Sequence, residues 1–304
     1  MDESTINALL ATLSREGGFQ SQRKEGDTRI ATPYTLIPEG YQFKSLEALM
    51  DAPPRYARKP VFHGIDEMLA YAKRFGFDDT SVIFADFLNN KITCVIDYNG
   101  QDGDGPGWMA HTATYNCPLS PEWAIWLGHN GKVMDQGAFA SFVEDNIQDI
   151  ARPEGSGFPS GADMLELARN FTAKKKVHFE SAQRESDGTF AITFAEETTG
   201  GVTTRADWRV PETFLVAIPV YLNDRADDGT TLIYPIVARL RYRVDGGKLA
   251  LWYDLLRPDK VREQAFERQI ARTISVLGRE VGPEGEVTRE GMPLYRAKSP
   301  VGAD

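Results

Sequence analysis

Three arginines alternate along one stretch of the chain: Arg239, Arg241 and Arg243 lie in residues 232–255, LIYPIVARLRYRVDGGKLALWYDL. Alternate residues of a β-strand share a face and lie about 6.6 Å apart, so three guanidiniums could meet successive phosphates or carboxylates. Asp245-Gly246 is a two-residue turn signal, because both central residues of such a turn must reach positive φ. With that loop, Val244 pairs with Gly247, Arg243 with Lys248, Arg241 with Ala250 and Arg239 with Trp252. The predicted outer face carries Arg239, Arg241, Arg243, Lys248 and Trp252. The other carries Leu240, Tyr242, Val244, Leu249, Leu251 and Tyr253, a core face. A slip of one residue would mix the two sets, so pattern and turn agree. Trp252 adds a plane on which a base could stack. Three uses compete for the arginine row: a solvated face paired with acidic neighbours, a subunit interface, or a single-stranded nucleic-acid or nucleotide site.

Two further basic spots are Arg55, Arg58 and Lys59 around Tyr56, and Lys174-Lys175-Lys176 with His178. Short basic runs at a strand's start are most simply solvated. The histidines, His63, His111, His129 and His178, form no ligand-spaced pair. His111 and Cys117 share a strand face but lie too far apart to chelate one metal. Residues 97–107, DYNGQDGDGPG, have the Asp and Asn density of a calcium loop. They fail its test, because Asp102 stands where the glycine belongs and Trp108 where the glutamate does. Phosphate-loop, dinucleotide and serine-elbow patterns are absent. Cys117 is followed by Pro118-Leu119, with no helix N-terminus to activate the thiol. The sequence thus implies no catalytic residue, no metal site and no cofactor.

The elements that position the arginine row read as α+β. Ile6, Leu9, Leu10 and Leu13 make one helical stripe over residues 3–16, and residues 19–32 form a polar arm. The body opens with a short helix at 45–50 and a firm one at 64–75. Strands at 81–88, 91–98 and 108–117 form a three-stranded meander, its first turn at Asn89-Asn90. Ser120-Pro121 caps a helix to 127, and a longer helix covers 135–149. RPEGSGFPSG, residues 152–161, is the expected subdomain boundary. Asp163 caps a helix to 170, strands fill 173–254 in a larger sheet, and a long helix over 258–277 closes the fold. The expected division is 1–32, helix and arm; 33–151, an α+β subdomain; 152–278, a strand-rich subdomain; and 279–304, a polar tail.

Composition narrows the class. The chain has 304 residues, 41% hydrophobic and 26% charged, ordinary values for a globular protein. A net charge of −10 opposes general attraction to nucleic acid or anionic membrane, although a local basic face could survive within it. Two cysteines suit a reducing compartment. No apolar run is long enough to span a membrane, and the N-terminus lacks the basic start and apolar core of a signal peptide. A soluble, cytoplasmic protein without membrane contact is expected.

The runs WRVPETFLVAIPVY (208–221) and VARLRYR (237–243), with FASFVEDN (139–146) and TLIPEGY (35–41), resemble the YfdQ-like proteins of bacteriophages and prophages. The similarity extends over residues 30–275 and is one of general pattern, so no active-site residue carries over. It implies a bacterial host cell and an early, non-structural phage role in DNA metabolism, recombination or host takeover. The expected function is a non-enzymatic accessory protein that self-associates through its N-terminal arm and arginine face. Alternatives are a single-stranded DNA or nucleotide binder, and an anti-defence protein that sequesters a host factor or signal nucleotide.

Overall fold

The structure, a computed structural model, describes residues 51–52, 56–100, 103, 105–173, 177–184, 189–197, 203–226, 228–245, 248–281, 283 and 287–301. The chain divides between Tyr56 and Ala57, and residues 57–304 form one unit. The helices expected at 3–16 and 45–50 lie outside the described residues.

Strand β1 (Val61–Phe62) leads through Gly64 into α1 (Ile65–Phe75). Asp66 and Glu67 occupy its first turn and Lys73 and Arg74 its last, which complements the helix dipole. Its stripe of Ile65, Met68, Leu69 and Ala72 is buried. Strands β2 (Val82–Asp86), β3 (Lys91–Val95) and β4 (Thr112–Asn116) form the expected antiparallel meander. The β2–β3 connection is longer than expected, because Asp86 pairs with Lys91 and leaves residues 87–90 in the loop. Asp86 braces that loop by accepting hydrogen bonds from the backbone and side-chain nitrogens of Asn89, while Asn90 adopts positive φ.

Helix α2 (Pro121–Gly128) opens on Ser120, whose Oγ accepts from the Trp123 nitrogen at 3.0 Å, with Pro121 at the first turn. The helix expected over 135–149 is shorter. It becomes β5 (Met134–Asp135), α3 (Gln136–Asp145), a 3₁₀ turn (Ile147–Asp149) and β6 (Ile150–Ala151). Helix α4 (Gly161–Ala173) is capped by Ser160 and not Asp163. The Asp163 nitrogen donates to Ser160 Oγ and the Ser160 nitrogen donates to the Asp163 carboxylate, a reciprocal capping box.

Strands β7 (Val177–Arg184), β8 (Thr189–Glu197) and β9 (Thr203–Pro211) form an antiparallel meander. After it come β10 (Thr213–Ile218), β11 (Tyr234–Asp245), β12 (Lys248–Leu255) and the closing helix α5 (Pro258–Leu277). Strands β13 (Glu280–Val281), β14 (Val287–Arg289) and β15 (Leu294–Tyr295) follow, in the stretch expected as a polar tail.

Two five-stranded sheets carry the architecture, a mixed α+β fold with mostly antiparallel pairing. The first has the order β1-β4-β3-β2-β15, with β1 and β15 parallel to their neighbours at the edges. The second has the order β5-β12-β11-β10-β6. Its edge strands flank α3, so the two ends of one helix reach opposite edges of the sheet. Strands from both sides of residues 152–161 therefore share a sheet. All four edges of these sheets are two-residue strands, which leave little template for pairing with another chain. One hydrophobic core joins the inner faces of both sheets with helices α1 to α5, from Ile65 to Met292.

The return after α5 is tight. A Cβ on Gly291 would collide with the backbone oxygen of Gly278, where only backbone could yield. Gly291→Ala is expected to destabilise the protein by about 1–3 kcal/mol, the usual range for forced overpacking. Urea unfolding that shows no change would remove this contact from the account.

Candidate interaction face

The hairpin β11–β12 pairs Arg239 with Asp254, Arg241 with Trp252, Arg243 with Ala250 and Asp245 with Lys248. This register lies two residues from the predicted one, and residues 246–247, not Asp245-Gly246, separate the strands. Two glycines between the strands relieve Asp245 of the positive φ that the predicted turn demanded. A shift of two keeps every side chain on its predicted face. Leu240, Leu249, Leu251 and Tyr253 are buried in the core, while Arg241 and Arg243 are exposed. Lys248 holds its place in the ladder, and its side chain lies outside the described residues.

The face is partly neutralised by its own strand partner. Arg241 Nε donates to Asp254 Oδ2 at 3.0 Å. Both side chains are about two-fifths exposed, so the pair contributes at most about 1 kcal/mol. Among the described residues, the side chains of Arg239 and Arg243 make no hydrogen bond or ion pair. Arg239 is half-buried, and its Nε is dry and lacks a partner. What remains uncommitted is two cations four residues apart, about 13 Å along the strand, with a half-buried Trp252 between their levels.

An aromatic cluster holds the hairpin from beneath. The Trp126 ring meets Phe142 at 5.0 Å, Tyr253 at 5.1 Å and Phe214 at 6.2 Å between centroids. Tyr253 Oη donates to the Trp126 carbonyl at 2.6 Å, and Trp126 Nε1 donates to Asp149 Oδ2 at 2.7 Å. The Leu255 nitrogen donates to Asn130 Oδ1 and the Gly131 nitrogen to the Tyr253 carbonyl, which ties the α2–β5 loop to the outer edge of β12. The face is therefore displayed on a fixed platform.

A buried polar centre sits under α5. Asp224 is 3% exposed and accepts from Tyr234 Oη at 2.9 Å and from Gln269 Nε2 at 2.6 Å. Burial raises its carboxyl above the ordinary value, and these two hydrogen bonds oppose that rise. It joins the loop before β11 to the closing helix.

The remaining candidates fall elsewhere. Arg58 and Lys59 are exposed beside β1, whereas the side chains of Arg55, the three lysines at 174–176 and His178 lie outside the described residues. Asp97 braces its own loop, accepting from the Ala110 and His111 nitrogens at 2.9 Å each. Cys94 and Cys117 are buried free thiols; burial pushes Cys94 up to about 12 and raises Cys117 as well, so neither is poised as a nucleophile. No group of three potential metal ligands occurs among the described residues. No helix among them is long and apolar enough to cross a membrane.

His111 is 4% exposed, with its Nε2 2.9 Å from Tyr71 Oη and its ring edge-on to Tyr71. Burial lowers its pKa, with Asp97 opposing. A base held neutral in the fold binds fewer protons than its unfolded counterpart, so stability falls as pH drops below about 6.5. Melting temperature measured from pH 7.5 to 5 is expected to fall, and His111→Gln is expected to flatten that part of the slope. An unchanged slope in the variant would assign the acid sensitivity to other groups.

Sequence reasoning placed the arginine face but missed Asp224, Trp126 and Asp149, because their partners lie far off in the chain. Asp97 carried a local signal, since an aspartate before a glycine-rich loop is a natural brace for the returning strand.

The model of a protein family described as "Uncharacterized conserved protein (DUF2303)" matches residues 4–282. No curated protein and no solved structure matches the chain.

Proposed function

The chain belongs to the DUF2303 family, and for it we propose a non-enzymatic accessory role in which the protein self-associates through the arginine face of its second sheet. One observation carries this reading: an acidic chain of net charge −10 displays Arg239, Arg241, Arg243 and Trp252 on one face of a rigidly supported sheet. Arginine and tryptophan are enriched in interface cores. The blunted edges of the second sheet favour contact through its face over strand addition to it. The Asp254–Arg241 pair counts against a phosphate ladder, because it interrupts the row at the spacing successive phosphates would need. The stripe of Ile6, Leu9, Leu10 and Leu13 supports a second contact through the N-terminal arm, on sequence pattern alone. The resemblance to phage and prophage proteins supports a cytoplasmic setting in a bacterial host.

Light scattering at micromolar concentration tests this. Wild type is expected to be larger than a monomer, and Arg241→Glu is expected to weaken association at least tenfold. A strict monomer would reject the reading. Polarisation with a labelled single-stranded oligonucleotide separates the alternative. Binding that weakens steeply with salt and is lost in Arg241→Glu would favour nucleic acid over self-association.

A further inference from the structure

The register of the hairpin goes further than the proposed self-association on which this inference rests. We infer that two copies pack face to face about a twofold axis parallel to the strands and running between β11 and β12. Arg239 of each protomer then meets the partner's Asp254, and Arg241 lies over the partner's Trp252.

A twofold axis along the strands keeps each residue at its own level and exchanges β11 with β12 across the interface. Each cross-strand pair therefore meets its own mirror in role. Arg239 opposite Asp254 becomes a cation over a carboxylate, twice. Arg241 opposite Trp252 becomes a guanidinium over an indole face, twice, a favourable cation–π arrangement. Arg243 opposite Ala250 sets a long cation over a small side chain that leaves it room. The other in-plane axis, perpendicular to the strands, sets Arg239 over the partner's Arg243 and Arg241 over the partner's Arg241. Like charges would meet at each level there, so the register selects the first axis.

Two features of the face agree. Arg239 has a dry, unpartnered Nε and no ion pair among the described residues, although Asp254 is its registered neighbour, because Arg241 has taken that carboxylate. A second carboxylate from across the interface meets the exposed part of this half-buried side chain, while its Nε stays covered by the chain itself. Aligned sheets pack about 10 Å apart, enough for arginine and tryptophan side chains to interdigitate.

A charge-swap series read by native mass spectrometry of the full chain tests the inference. Wild type is expected to be a dimer. Arg239→Asp and Asp254→Arg are each expected to weaken dimerisation at least tenfold, and the double variant to recover to within about threefold of wild type. A monomeric wild type would reject self-association itself. A dimeric wild type whose single variants dimerise normally, or whose double variant stays as weak as the singles, would overturn this axis and leave self-association to another surface. Should a swapped chain misfold by circular dichroism, cysteine cross-linking replaces it. Arg241→Cys protomers mixed with Trp252→Cys protomers are expected to be joined by a short bis-maleimide, because sheets about 10 Å apart are too far for a direct disulfide. Cys94 and Cys117 are buried and contribute little background. Lack of the mixed cross-link in a dimeric sample would overturn the geometry.

Discussion

Replacing Trp126 with alanine is expected to destabilise the protein by about 3–5 kcal/mol, the range for removing a large buried aromatic. Trp126 is 0% exposed and at the centre of the cluster formed with Phe142, Phe214 and Tyr253. The substitution empties that space and also strips Asp149 of its indole donor. Burial already raises the Asp149 carboxyl, so a lost donor leaves a poorly solvated acid. Trp126→Phe separates the contributions: it keeps most of the ring contact, loses the hydrogen bond, and is expected to forfeit only about 1–3 kcal/mol. Denaturant unfolding of the two variants measures the difference. An alanine variant within about 1 kcal/mol of wild type would mean the hairpin does not depend on this platform.

Asp224→Ala is the second large effect, with an expected loss of about 2–4 kcal/mol. It leaves Tyr234 Oη and Gln269 Nε2 without their acceptor, at about 1–3 kcal/mol for each buried group left unpaired. The pH dependence carries a definite sign. A carboxyl whose pKa is raised in the fold binds more protons folded than unfolded, so its contribution is full below about 3.9 and declines as pH rises through the folded-state value. Asp224→Asn removes this titration. The melting temperature of this variant relative to wild type is therefore expected to rise from pH 4 to pH 7, whichever way the His111 contribution common to both proteins tilts the absolute curves. An identical profile would exclude Asp224 as a titrating group in that range.

The pattern of the sequence disclosed those features that depend on near neighbours. Alternation fixed the two faces of the 232–255 stretch, and the same period gave the meander of β2, β3 and β4. Helix α5 occupies the expected 258–277, since Pro258 opens it and Gly278 ends it. Register was less legible. DGG allows either Asp245-Gly246 or Gly246-Gly247 between the strands, and local chemistry separates these weakly. That choice decided the site, because only the observed register puts Asp254 beside Arg239 and within reach of Arg241. Long-range pairing was not legible. Nothing local shows that β15 adds to β2, or that β5 and β6 close opposite edges of the second sheet. Asp224 and Gln269 are 45 residues apart, so their bond follows from packing and not from spacing.

Self-association through a face of the second sheet is read from the mass of the native particle. Wild-type protein, purified without reducing its nucleic-acid content, is expected by native mass spectrometry at micromolar concentration to run at twice the 33.8 kDa chain mass. No nucleic acid is expected to accompany it, and high salt is expected to return it towards the monomer. A particle of one chain mass at low salt, or one whose excess mass is nucleic acid, would contradict the account.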